Sequence, residues 1–161
     1  GGIADGRGMG AMFMLGAAGV QVGTKFLVAN ECNIRHEYKE MIIKSKGVDT
    51  VVLENKKGHR IRMLKNKLTW QMMHASSQLG QGESAITISE ALRSAAKAGN
   101  VEMGAVMAGQ CVGLVNKEDS VKNIVDSICK EAEDLILNIN MKLTNRKDDF
   151  IEESDNSSYM S

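Results

Sequence analysis

Neither charge is in excess in this 161-residue chain, where Lys and Arg number 20 and Asp and Glu number 20. With no net field to draw a polyanion, a nucleic-acid or anionic-membrane partner is disfavoured. Long apolar runs are lacking as well. Gly10–Leu15 and Leu135–Met141 are short or interrupted, whereas a membrane span needs about 18 residues, so a soluble protein is expected. Cysteine is scarce and odd in number, at Cys32, Cys111 and Cys129, with no C-x-x-C spacing. That pattern indicates neither a disulfide framework nor a zinc site, and it suits a reducing cytoplasm. Proline is absent while methionine reaches eleven, which we read as compositional bias. Length is short too: a complete eight-stranded barrel takes about 250 residues, so the chain is expected to be a piece of one. It begins without Met, directly in a loop motif, so a truncated N-terminus is expected and no secretion signal is readable.

What is present is concentrated in the first two dozen residues. Gly1-Gly2-Ile3-Ala4-Asp5-Gly6-Arg7-Gly8 and Gly19-Val20-Gln21-Val22-Gly23-Thr24 are two glycine-bearing turns, each followed by a helix-like run. Helix N-termini offer backbone N–H groups to an anion, and glycine lets the backbone come close to phosphate oxygens. Val20-Gln21-Val22 alternates as a short strand entering the second turn would. The order loop, helix, strand, loop, helix is that of the last units of a (β/α)8 barrel, where such loops commonly hold phosphate. Glycine clusters before helices also make plain structural turns; the repeat of the device within one βα unit shifts the balance towards phosphate.

Further along, Arg7–Leu15 presents Met9, Met12, Phe13 and Leu15 as a face to pack on the barrel sheet. Thr24–Glu31 can begin a short helix capped by Thr24. A charged amphipathic helix is expected over 38–46, and strands over 48–53 and 60–63 that pair as a hairpin. Helices are expected over 67–79 and from Ile88, where Thr87-Ile88-Ser89-Glu90 has capping-box spacing, to a stop at Gly99. Met103–Val115 is rich in small residues that permit close approach of a helix or turn. From Ser120 apolar residues recur at three and four, with Asp119 as candidate N-cap. The polar, acidic residues from Thr144 onward read as a disordered tail.

These residues also carry a family resemblance. GGIADGRG at 1–8 followed by LGAAGVQVGTKFLVANEC at 15–32 resembles the flavin-binding end of the nitronate monooxygenase family, also called 2-nitropropane dioxygenases, and of the flavin-dependent enoyl-acyl-carrier-protein reductases of bacteria. Tyr38-Lys39-Glu40, Asp49-Thr50-Val51-Val52, Gly58-His59 with Arg62, and Leu64-Lys65-Asn66 favour the reductase branch. So, above all, does Gly99-Asn100-Val101-Glu102 running into Gly104-Ala105-Val106-Met107-Ala108-Gly109-Gln110. The similarity runs from Gly1 to about Leu143. It departs at Arg35-His36, where the family usually has its histidine one residue earlier and then proline, and at Arg60, where proline usually follows Gly-His.

The resemblance implies an α/β fold: the C-terminal part of a (β/α)8 TIM barrel, its last strands with phosphate-binding loops, followed by an appended, mostly helical extension. Residues 1–46 would end the FMN-binding barrel, 47–143 would be the appended hairpin and helices with the last helix packing back on the barrel, and 144–161 the tail. The phosphate of flavin mononucleotide would be held by backbone N–H groups of Gly1, Gly2, Gly23 and Thr24, with Gln21 near the cofactor. NADH or NADPH would donate hydride, and an enoyl thioester on acyl carrier protein would be the substrate and partner, in the cytoplasm. A homodimer is left open. Met107 and Ala108 would line an apolar acyl slot, helix packing being the equal alternative. The family's catalytic histidine lies upstream, so no catalytic residue is expected in this chain. His36, His59 and His74 each have a duller structural explanation, and the cysteines and Asp5 are read as packing and turn residues. The alternatives are a nitronate monooxygenase, a phosphate-ligand barrel dehydrogenase against which Thr24-Lys25-Phe26 argues, and an inactive helical packing or interaction fragment. On every one of these readings the isolated chain is expected not to turn over substrate.

Overall fold

The computed structural model describes residues 1–54, 60–77 and 87–157, without the side chains of 75–77 and 145–157. In chain order its elements are α1 (Gly6–Met14), α2 (Thr24–Leu27), α3 (His36–Lys44), β1 (Thr50–Glu54), β2 (Arg60–Leu64), α4 (Lys67–Ser77), α5 (Ile88–Ala98) and α6 (Val121–Ser157). They fall into two compact units, one of Gly1–Ala4 with Val20–Val125, the other of Asp5–Gly19 with Asp126–Ser161.

In the first unit the expected hairpin forms. β1 and β2 pair antiparallel, with Thr50 opposite Leu64 and Glu54 opposite Arg60; the Lys56-Lys57-Gly58 connection lies outside the described residues. Successive side chains of a strand point to opposite faces, and the end of β2 uses both. Leu64 enters the larger core with Val28, Tyr38, Ile42, Ala95 and Val106. Met63 enters a smaller one with Leu68, Ala91 and Ala105. Burying each of these side chains contributes about 1.5–3 kcal/mol, so β2 fastens two clusters at once. α5 begins as its sequence dictates, with Thr87 N–H donating to Glu90 Oε2 at 2.9 Å and Glu90 N–H to Thr87 Oγ1 at 3.3 Å. It stops at Gly99, whose φ of +74° is the left-handed conformation glycine adopts without strain.

Two expectations need correction in this unit. No strand forms at Val20–Val22, because a strand is defined by ladder partners and the described residues supply none there. Tyr38 and Ile42 share a core with Leu64, Ala95 and Val106. At the head of α6 the cap is Ser120, whose Oγ accepts from Asn123 N–H at 3.1 Å; Asp119 instead accepts from Ser120 N–H and the Asn123 amide.

The second unit is built on the approach of α1 to α6. Asp5 caps α1, accepting from Gly8 N–H at 2.9 Å, and Gly6 N–H donates to Glu131 Oε2 at 2.6 Å. A Cβ at Gly6 would stand 2.6 Å from both Ala132 N and Ile128 O, closer than any side chain can sit. The buried face of α1 is therefore Gly6 and Gly10. Met9, Met12 and Phe13 are half-buried, and Leu15 is 78% exposed, in place of the apolar stripe expected. α6 also continues through the region expected to be a disordered tail, to Ser157. No Gly or Pro occurs from Val121 onward, so no helix breaker offsets the polar composition.

Replacing Gly6 by Val should force α1 off the backbone of α6. A loss of about 1–3 kcal/mol is expected for such overpacking, read as a lower urea midpoint, with Gly19→Ala, where a Cβ meets nothing within 4 Å, as the control that should change little.

Candidate cofactor and substrate site

The candidate binding residues all belong to the Gly1–Ala4 and Val20–Val125 unit. Gly1 and Gly2 are exposed, and the pair is anchored by Ile3 and Ala4, which are 7% and 2% exposed. Gly2 has a φ of +79°, a conformation an L side chain adopts only with strain. Gln21 and Gly23 are exposed. Gly23 precedes α2 as its N-cap with φ −115°, and a Cβ built there meets nothing within 4 Å. The fold of this chain thus does not require glycine at position 23; open space there suits a backbone that must approach an anion. Phe26 N–H donates to Gly23 O at 3.0 Å, whereas the N–H groups of Thr24 and Lys25, at the head of the helix, have no acceptor within it.

Thr24 is 7% exposed, and its Oγ1 accepts a hydrogen bond from Gly109 N–H at 2.8 Å. A hydroxyl that accepts keeps its own proton for donation, so Thr24 can still offer an O–H to an anion. The bond also brings the second turn of the expected phosphate cradle to the segment expected to line the substrate slot. That segment, Val106–Gly109, is extended backbone and not the helix or turn that its small residues suggest. Val106 O accepts from Leu64 N–H at 2.8 Å, and Met107 bridges Met63 antiparallel. Met107 O accepts from Tyr38 Oη at 3.0 Å. Ala108 is buried in the larger core, whereas Met107 is half-buried and packs against the smaller one.

Two residues here were read in the sequence only as part of the family resemblance. Tyr38 sits 2% exposed on α3, and burial pushes its phenol up to about 12. Lys39 is 6% exposed and donates from Nζ to Ala29 O at 2.7 Å, with Glu118 Oε2 at 3.5 Å. An amphipathic reading of α3 finds neither partner, since both lie far off in sequence.

The remaining candidates lie apart from this strip. His36 is an exposed residue at the start of α3, between Glu40 at 3.2 Å and Glu118 at 3.5 Å. His74 is exposed and tilts against Trp70, with ring centroids 4.1 Å apart. His59 lies outside the described residues. The three cysteines are free. Two surface hollows, of about 410 and 460 Å³, include none of the candidate binding residues; the second is lined by Asn66, Lys67, Trp70 and Gln71.

Comparison with known proteins bears on all of this. A family model described as nitronate monooxygenase matches residues 1–131. Among curated proteins, a "Probable nitronate monooxygenase" of Staphylococcus saprophyticus is 34% identical over 137 residues, covering 84% of this chain and 38% of that protein. One of Bacillus subtilis is 30% identical over 132 residues, covering 81% and 38%. Among solved structures, FabK from Thermotoga maritima superposes with a TM-score of 0.79 at 37% identity, covering 88% of this chain and 45% of that one. A nitroalkane oxidase from Streptomyces ansochromogenes shares the fold, with a TM-score of 0.69 at 24% identity. The chain therefore spans about two-fifths of the length of the relatives it matches. These likenesses support a fragment of the expected barrel, though the described strands of the chain itself are only the antiparallel hairpin.

The Tyr38 tie has a pH signature. A phenol that titrates near 10 when unfolded and near 12 when folded contributes stability that is fully present below pH 10 and is lost as pH rises towards 12. Tyr38→Phe should lower stability by about 1–2 kcal/mol at pH 7, because the Met107 carbonyl loses its donor. It should also flatten the decline between pH 10 and 12, as urea unfolding across that window would read.

Proposed function

This chain belongs to the nitronate monooxygenase family, and from that premise we propose that it is the cofactor-gripping part of a flavin mononucleotide-dependent oxidoreductase, an enoyl-acyl-carrier-protein reductase using NADH or NADPH. The observation that carries the reading is the hydrogen bond from Gly109 N–H to Thr24 Oγ1, which ties a phosphate-type turn to an extended strip bearing a half-buried methionine. The open space at Gly23 fits the phosphate of such a cofactor. Backbone N–H groups of Gly1, Gly2, Gly23 and Thr24 would grip it, with Gln21 alongside. When bound, the flavin supplies hydride transfer between the nicotinamide and the enoyl double bond.

The chain's own residues orient and enclose. Thr24, held by Gly109, fixes the head of α2. Tyr38 fixes the carbonyl of Met107, which leaves the Met107 side chain as an adaptable wall for an apolar acyl group. Ala108 is buried in the larger core, on the other side of the strip from Met107. No residue here is assigned proton transfer; on this reading that group comes from the remainder of the barrel. The 37% identity to FabK supports the reductase branch. The second reading, oxidation of alkyl nitronates by oxygen on the same grip, is favoured by the names of the family and of its curated members.

Gly23→Val in the complete enzyme should leave the fold intact, since a side chain there meets nothing within 4 Å, but should weaken flavin retention on gel filtration by tenfold or more, about 1.4 kcal/mol. Retention equal to wild type would sink the phosphate assignment. Met107→Ala should raise KM for long enoyl thioesters while leaving flavin content unchanged. If flavin content falls equally, Met107 is a packing residue only.

A further inference from the structure

We propose that Lys39 is a positioning residue for the cofactor phosphate. Enclosed at the exit of α2, its ammonium sets where the backbone N–H groups of Gly23 and Thr24 stand; this rests on the reading of that turn as a phosphate grip. α2 is a single turn, Thr24–Leu27, and a helix that short has little stability of its own, so its position is decided by what holds its two ends. At one end Thr24 Oγ1 accepts from Gly109 N–H at 2.8 Å. At the other the chain leaves through Val28 and Ala29, both buried, and the Ala29 carbonyl accepts from Lys39 Nζ at 2.7 Å. Ala29 also forms an isolated parallel bridge with Asp119, where Asn30 N–H donates to Asp119 O at 2.9 Å. Glu118, the residue before Asp119, brings Oε2 to 3.5 Å from the same ammonium. One cation therefore clasps both sides of that bridge.

Stability alone does not account for a lysine here. Lysine is almost never fully enclosed unless it is paired, and a buried ion pair commonly contributes no more than apolar residues of the same volume would. What an apolar side chain cannot supply is a donor with a direction. The preceding residue supplies another, since Tyr38 Oη donates to Met107 O at 3.0 Å. Successive residues lie about 100° apart around a helix, so α3 sends two enclosed donors to two separate segments. One reaches the exit of the cofactor turn, the other the strip that carries Met107. α3 thereby sets the spacing between cofactor turn and substrate strip, and Lys39 is the half that governs the phosphate.

The test compares flavin mononucleotide with riboflavin, which has the same ring and no phosphate, by fluorescence titration of the complete enzyme stripped of its flavin. Lys39→Met keeps the apolar stem and loses the donor. It should weaken flavin mononucleotide about tenfold, the scale of one lost charge-assisted hydrogen bond, and leave riboflavin unchanged. Thr87→Ala, which removes the α5 cap and with it a comparable share of stability, should leave the ratio of the two affinities at its wild-type value. Glu118→Gln, on the less enclosed partner, should lower that ratio about threefold, and it decides the question if the Lys39 variant does not fold. Equal weakening of both ligands, or a wild-type ratio in the deciding variant, would overturn the proposal and leave Lys39 a packing residue. Gly23→Val tells this failure from that of the parent reading. If Gly23→Val also leaves the ratio unchanged, the phosphate grip itself is lost; if it lowers the ratio while the deciding variant does not, only the role of Lys39 is.

Discussion

The strip of extended backbone from Val106 to Gly109 is held at three points, and the packing of its unit depends on all three. Leu64 N–H fixes it to β2, Tyr38 Oη fixes it to α3, and its own Gly109 N–H fixes the Thr24 hydroxyl at the head of α2. Each bond contributes only about 1 kcal/mol net, but leaving a buried partner unmade costs more than making it gains. The strip therefore has few alternative positions that satisfy every polar group. Val106 and Ala108 drop into the larger core on one side, so Met107 between them must turn the other way. Alternation along a short piece of chain thus decides which of three neighbouring residues packs on which core.

That arrangement explains what could be read from the sequence and what could not. The capping box at Thr87 and Glu90, the stop at Gly99 and the hairpin of β1 with β2 are local, written in residues a few positions apart, and each stands where it was expected. The ties of Thr24 to Gly109 and of Tyr38 to Met107 join residues 85 and 69 positions apart, and no periodicity encodes such a partner. The candidates Gly23, Thr24 and Met107 were chosen from the sequence by residue type and motif; the hydrogen bond from Gly109 N–H to Thr24 Oγ1 was not legible there.

The remaining misreadings share a physical origin. Apolar periodicity in α1 pointed to Met9, Met12, Phe13 and Leu15, but close backbone approach won, and two glycines form the buried face. Val20-Gln21-Val22 has the pattern of a strand, yet a strand exists only with a neighbour. A polar composition suggested an unstructured tail, whereas helix propensity without a single breaker carries α6 to Ser157.

Lys39 shows what such a hidden neighbour entails. Its ammonium is enclosed between the Ala29 carbonyl and the Glu118 carboxylate, at 6% exposure. Removing the lysine alone would leave the Ala29 carbonyl without its donor; removing Glu118 alone would leave a largely enclosed cation with only that carbonyl. Both routes pass through a destabilised intermediate, while a joint exchange for two apolar residues of similar volume does not. Sequence drift at positions 39 and 118 is therefore expected to be correlated, so that the history of this protein would record the contact as a paired substitution.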